Sequence, residues 1–327
     1  MYQIYLSNII KNIKSRGINS IMKYFLRKQL KKIKSYFLQE THKDNDAIKI
    51  LLAKILIENI KIKGIVNNLA EVEFKVFSQF GEDGIIQYLI NNIPIKNKIF
   101  IECGVQNYKE SNTRFLLINN NWKGLVIDSD SKSIDYIKND DIYWRYDIKA
   151  ISKFITKENI NNLFSSNGFE GDIGLLNIDI DGNDYWVWDA IKVVNPRIVI
   201  CEYNSILGCK DAVTIPYNPN FNRTKAHYSN LYFGASLPAL CYLANKKGLI
   251  FIGSNSAGNN AFFVRKDLAG YFKELTPEKG YVYSNIREAR DRMRKLTYIS
   301  GESRKRLIED LEIYNVKTGD KKKIKDF

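Results

Sequence analysis

The sequence predicts an α/β fold: a mostly parallel, seven-stranded sheet covered on both faces, preceded by a basic helical extension. Three observations carry this. From about Phe77 onward, short β-rich runs alternate with helical ones. The inner runs are apolar almost without interruption, as strands buried on both faces must be. And 327 residues, 45% hydrophobic and 26% charged, are enough for one large α/β domain with extensions.

In chain order, strands are expected at 98–103 (KIFIEC), 124–128 (GLVID), 142–148 (IYWRYDI), 173–180 (IGLLNIDI) and 197–203 (RIVICEY). Helical spacing falls between them at 112–120, 131–139, 151–165 and 184–193, and again at 233–247. Two last strands, 249–254 (LIFIGS) and 261–266 (AFFVRK), are joined by the Gly/Asn-rich SNSAGNN, which predicts a reversal and an antiparallel last strand. The stretch 204–230 is a long irregular insertion, the kind of loop that covers a substrate. The chain therefore divides into a basic helical extension (1–70), the sheet domain (71–270, insertion included) and a C-terminal helical segment (271–327). In the last, ESRKRLIEDLEIYN reads as a closing helix and KTGDKKKIKDF as a solvated basic tail.

Charge is concentrated at the ends. The chain carries 50 Lys and Arg against 36 Asp and Glu, a net charge of +14. Between Met1 and Glu40 the only acid is Glu40, while Ile18, Ile21, Met22, Phe25, Leu26, Leu30, Ile33 and Phe37 recur at the helical period. The favoured expectation is that this stripe packs on the domain or on a second copy in a homo-oligomer. A peripheral contact with the inner face of an anionic membrane is the alternative. A second helix is expected over 47–62. No basic stripe interleaved with aromatics runs through the middle, which argues against nucleic acid. The four cysteines show no C-x-x-C spacing, no apolar run reaches the roughly 20 residues of a membrane span, and MYQIYLSNII is too short for a signal peptide. A cytoplasmic protein is expected.

The candidate site follows from the strand ends. In an open doubly wound sheet, ligands bind outside the carboxyl ends of the strands. The expected strands end at Glu102 and Gly104, Asp128, Asp147, Asp179 and Asp181, and Glu202 and Asn204. The fourth run, LLNIDIDGNDYW, drives an apolar segment straight into Asp179, Asp181 and Asp184. Ionised carboxylates are costly to bury unpaired, so these are expected at the mouth of a site, facing a metal, a ligand or water. Asp181 and Asp184 can also cap the following helix.

The motifs SQFGEDGII, IECGVQNYKESNTRFLL, WKGLVID, NIDIDGNDYWVWDAI and FFVRKDL, over roughly residues 75–268, resemble the FkbM-type methyltransferase-like proteins of polysaccharide and secondary-metabolite pathways. That family belongs to the Rossmann-like, seven-stranded S-adenosylmethionine-dependent methyltransferases. The resemblance implies that Glu102 and Gly104 flank the methionine part of S-adenosylmethionine, that Asp128 accepts the ribose hydroxyls and that Asp147 faces the adenine. Gln79 would lie at the rim. The family's glycine-rich loop is departed from at Gln106 and Asn107. O-methyl transfer to a hydroxyl of a sugar or glycan precursor is the expected reaction, with Asp179, Asp181 and His227 as catalytic candidates, His227 as general base. By analogy with catechol-type enzymes, Asp179, Glu202 and Asn204 would bind Mg²⁺. Two alternatives stay open: a divalent-metal glycosyltransferase using Asp179 and Asp181, and a cofactor-free, inactive binding subunit of the same fold.

Overall fold

A computed structural model describes residues 28–29, 45–270 and 272–327. The chain divides into two units, Met1–Lys54 and Ile55–Phe327. Residues 28–29 and 45–63 are helical, so the helix expected over 47–62 is present, while the stripe of residues 18–37 lies outside the described residues apart from Lys28 and Gln29.

The second unit is built on strands β1 (Ile99–Cys103), β2 (Lys123–Asp128), β3 (Ile148–Ser152), β4 (Gly171–Ile178), β5 (Val194–Glu202), β6 (Val213–Thr214), β7 (Leu249–Ser254), β8 (Asn260–Arg265), β9 (Glu312–Asn315) and β10 (Lys321–Lys323). Seven of them form one sheet in the order β3-β2-β1-β4-β5-β8-β7. β1 to β5 are mutually parallel, and β8 runs antiparallel to both β5 and β7. This is the Rossmann-like, mostly parallel sheet that was expected, reversed strand included.

The period of two assigns alternate side chains to opposite faces. On β1, Phe100 joins one core while Ile101 and Cys103 join the other; on β2, Val126 opposes Leu125 and Ile127 in the same way. The first core packs under the helices Glu82–Asn92, Arg114–Asn120 and Ser131–Asn139, and the second under Ile160–Ser165, Asp184–Ala190 and Leu237–Lys246. Each fully buried aliphatic or Phe side chain contributes about 1.5–3 kcal/mol relative to exposure. The driving force for this three-layer arrangement is therefore spread over dozens of residues.

Two expectations are corrected. Residues 142–148 do not form the third strand: Asp141–Arg145 is helical and the strand is Ile148–Ser152. The Asp140 carboxylate accepts from the Ile142 amide at 3.1 Å, and Arg145 pairs with Asp141 at 3.3 Å one turn on. These local caps outweigh the β-propensity of Ile142, Tyr143 and Trp144. β3 is an edge strand that buries Ile148 and Ala150 but exposes Lys149, so it lacks the continuous apolar signature of its neighbours. The helix expected from 151 consequently starts only at Ile160.

The second correction concerns the C-terminal segment. Of the expected closing helix only Glu302–Arg306 is α-helical, and the basic tail supplies strand β10, paired antiparallel to β9, which pairs with β6 of the insertion. The lysine side chains of β10 are exposed, but Ile313 and Ile324 enter a small third core with Ile206, Val213, Ile215 and Leu231. Insertion and C-terminal segment thus share one core rather than forming separate appendages.

Candidate active site

A cavity of about 490 Å³ opens at the carboxyl ends of the strands. One side is made by the exits of β1, β2 and β3. Gly104 turns the chain out of β1 at φ +83°, with its amide bonded to the Ile127 carbonyl at 2.8 Å. A Cβ there would lie 1.7 Å from the Asp179 carbonyl oxygen, so only glycine lets this loop pass the exit of β4. The next two amides, of Val105 and Gln106, donate to Asp128 Oδ2 at 3.1 and 2.7 Å, and the Asp130 amide donates to Oδ1 at 2.8 Å. Asp128 therefore moors the β1 loop to the tip of β2, while Oδ1 keeps room for a further donor. Gln106 holds φ +47°, the left-handed conformation a glycine adopts more easily.

Gln79, Gly104 and Asp128 line the cavity, as does Gln106. Glu102 does not. It is 2% exposed, and its carboxylate accepts from Ser111 Oγ at 2.6 Å, the Asn112 and Thr113 amides, Thr113 Oγ1 and Asn177 Nδ2. Burial raises its pKa, opposed by these donors. The acid of the E-x-G motif ties the 111–113 turn to the sheet and is fully occupied doing so. Asp147 is also elsewhere: it precedes β3 instead of ending it, so it sits at the amino end of the strand, away from the cavity, and pairs with Lys123 at 3.6 Å. The true exit of β3 supplies Lys153, Phe154 and Ile155 to the cavity, residues hidden from the sequence by the misplaced strand.

The other side comes from β4, β5, the insertion and the C-terminal segment. Asp179 follows β4, Glu202 ends β5, and carboxylate oxygens of Asp179, Asp181 and Glu202 lie within 4.8 Å of one another. Burial, then the charges of Asp181 and Asp184, pushes Asp179 well above the ordinary carboxylate range, with a bond to Glu202 pulling the other way. Burial, then Asp179 and Asp181, does the same to Glu202. Two half-buried acids this close resist being ionised together when no cation is between them. Glu202 Oε2 and the Oδ1 of cavity-lining Asn183 are both buried without a hydrogen-bond partner among the described residues.

Asn204, predicted as the third metal ligand, is unavailable. Its Nδ2 donates to the Leu231 and Phe233 carbonyls and its Oδ1 accepts from the Ile206 amide, which fastens the insertion to β5. Asp181 takes its place beside Asp179 and Glu202. Asp184 is buried and accepts from the Ile180 and Gly182 amides at 2.8 and 2.9 Å, closing the turn that presents Asp179 and Asp181. Asp181 itself makes no cap. It holds φ +56° and takes a 2.5 Å bond from Arg223.

Arg223 was not singled out from the sequence, yet it organises this side. It donates to Asp181, to Glu288 and to the Asn230 carbonyl, and its guanidinium lies 3.6 Å from the Phe233 ring centroid. Burial works against its charge, but Glu202, Glu288 and Asp181 more than offset this and hold it protonated. Phe221 covers Gly182, where a Cβ would meet the ring at 2.2 Å. His227, the predicted base, lies outside the lining: its Nδ1 meets Ser229 Oγ at 2.7 Å and its ring faces Tyr228. Burial, then Arg292, lowers its pKa.

No protein-family model and no curated protein matches the chain. Among solved structures it is similar to PKMT2 from Rickettsia typhi in complex with AdoHcy, at 10% identity over 54% of this chain and 51% of that one, TM-score 0.35. It thus spans about half the length of that protein. It is similar to an S-adenosylmethionine-dependent methyltransferase from Clostridium acetobutylicum ATCC 824, at 9% identity, 56% and 90% coverage and TM-score 0.36. A third likeness is to the N-terminal domain of EvdMO1, solved in the presence of SAH and D-fucose, at 9% identity, 65% and 94% coverage and TM-score 0.37.

Proposed function

We propose that this chain is an S-adenosylmethionine-dependent O-methyltransferase of FkbM type, acting on a hydroxyl of a sugar or glycan precursor. The supporting observation is that one cavity joins a nucleoside-binding wall (Asp128, the Gly104–Gln106 loop, Lys153–Phe154) to a pair of carboxylates of raised basicity, Asp179 and Glu202. A volume of about 490 Å³ suits a nucleoside together with a small acceptor. The spare acceptor capacity of Asp128 suits ribose hydroxyls, and the acidic wall suits a cationic sulfonium.

When S-adenosylmethionine is bound it supplies an electrophilic methyl group. Methyl transfer to an acceptor oxygen would release that hydroxyl's proton, which the Asp179–Glu202 pair would take up. The chain's contribution is alignment and a base of matched strength. The pair must have lost its proton to serve, so the rate rises with pH until it is ionised. Asp179, Asp181 and Glu202, with the unpartnered Asn183 Oδ1 at the cavity wall, are a hard-oxygen donor set that fits Mg²⁺, whose bound charge lowers the pKa of a hydroxyl.

Calorimetric titration with S-adenosylhomocysteine, and separately with UDP-sugar plus Mn²⁺, tests the reading. Heat is expected from the first titrant, weakened by about 1–3 kcal/mol in Asp128→Ala and unchanged in Asp147→Ala. Silence from S-adenosylhomocysteine ends the proposal, and heat from UDP-sugar alone moves the chain to glycosyl transfer through Asp179 and Asp181.

A further inference from the structure

The segment following Glu288 is a small, well-tied hairpin. Thr297 donates its amide to the Ala289 carbonyl at 2.9 Å, Arg290 bridges Leu296, and the Asp291 amide donates to the Lys295 carbonyl at 2.9 Å. At the tip, Asp291 Oδ1 accepts the Lys295 amide at 2.9 Å while Arg294 takes φ +63°. The root is fixed: Ala289 is fully buried in the third core, and the Arg290 amide donates to the Ser229 carbonyl. The hairpin is thus held in place, yet residues 292–298 form an unbroken run of exposed side chains, Arg-Met-Arg-Lys-Leu-Thr-Tyr.

Two features of that run are hard to reconcile with a surface meant only for water. Met293 is 74% exposed, Tyr298 59% and Leu296 42%, three large apolar side chains grouped on one ordered turn. Around them stand Arg287, Arg290, Arg292, Arg294 and Lys295, none with an ion-pair partner among the described residues. The two acids of the segment are engaged elsewhere: Glu288 is bound to Arg223, and Asp291 holds the turn. Elsewhere in the molecule the surface cations Lys323 and Lys325 are matched by Asp310.

We propose that this hairpin docks the protein on an anionic lipid surface. Arginine and lysine at the edge of a bilayer are attracted by acidic headgroups, and apolar side chains on the same turn enter the acyl boundary. Nucleic acid would satisfy the cations but leave Met293 and Leu296 in water, so the combination favours lipid. The hairpin begins directly after Glu288, which lines the cavity, so docking would hold the acceptor side of the site at the membrane, where a lipid-linked acceptor would be found. The placement of the acceptor rests on the reaction assigned above, whereas the docking itself does not.

The test uses the full chain with vesicles of phosphatidylcholine, with and without phosphatidylglycerol, in a sedimentation assay. Binding is expected only with phosphatidylglycerol, and the triple variant R292E/R294E/K295E should lower the partition coefficient at least about tenfold with an unchanged thermal midpoint. In a second variant, Met293→Trp, brominated lipids should quench the new indole. The proposal is overturned by absence of binding to acidic vesicles, by equal binding of the triple variant, by an unquenched Trp, or by hairpin-dependent capture of poly(U) in place of vesicles.

Discussion

Asp83 shows how one side chain can be structurally committed and still titrate. Its Oδ2 accepts from the amides of Val76, Phe77 and Ser78 and from Ser78 Oγ, all at 2.7–2.9 Å, while Oδ1 is buried without a partner. Burial dominates these donors and raises the pKa from 3.8 to about 6. The folded state therefore binds more protons than the unfolded one between those values, and stability falls as pH rises through that window. An amide oxygen can accept the same four bonds without the charge. Wild-type stability relative to Asp83→Asn should thus drop by about 2–3 kcal/mol between pH 4 and pH 7, read from urea midpoints of both proteins. Parallel pH profiles would show that the ionised carboxylate is not penalised. The acid is part of SQFGEDG, but that it closes the 76–78 turn depends on where that turn folds.

At the scale of elements, Arg223 is one of the polar ties that hold the insertion over the site. The side chain is 13% exposed and joins Asp181 of the β4 exit to Glu288 of the C-terminal segment. Arg223→Ala should loosen residues 216–230 by about 2 kcal/mol through lost charged hydrogen bonds and ring stacking. Limited proteolysis should report faster cleavage there, while S-adenosylhomocysteine affinity, which depends on the β1–β3 exits, stays within twofold of wild type. Loss of both together would mean that the two walls of the cavity do not act independently. Arg223 sits among Asn, Thr and Lys in a stretch with no periodicity, so nothing local distinguishes it. Its role arises only when three segments distant in sequence converge.

For the whole molecule, the C-terminal strands are structural. Ile313 and Ile324 are 1% and 2% exposed, the Val316 amide donates to the Ala212 carbonyl at 2.9 Å, and Tyr314 packs on Trp186 with ring centroids 5.2 Å apart. Deleting residues 312–327 should cost about 3–6 kcal/mol from the two isoleucines alone, lower the thermal midpoint and expose the insertion to protease. A merely solvated lysine tail would leave the midpoint where it was. Among the described residues no helix is long and apolar enough to cross a membrane.

By itself, the sequence determined the layered sheet, its parallel interior, the reversed last strand and the acidic exits at Asp128, Asp179, Asp181 and Glu202. Strands buried on both faces must be continuously apolar, and that constraint is written in consecutive residues. The tertiary structure alone decided which acids face the cavity. Glu102 and Asn204 turn out to be consumed by buried hydrogen bonds, and Asp147 falls at the wrong end of its strand because an edge strand leaves only a half-strength pattern. His227 is bonded to Ser229 instead of facing the cavity, whereas Lys153, Arg223 and Glu288 reach the site by convergence of segments far apart in the chain. Hydrophobic burial is repeated along an element and can be read locally. The pairing of a single polar group is settled once, by whichever donor or acceptor the fold brings within about 3 Å.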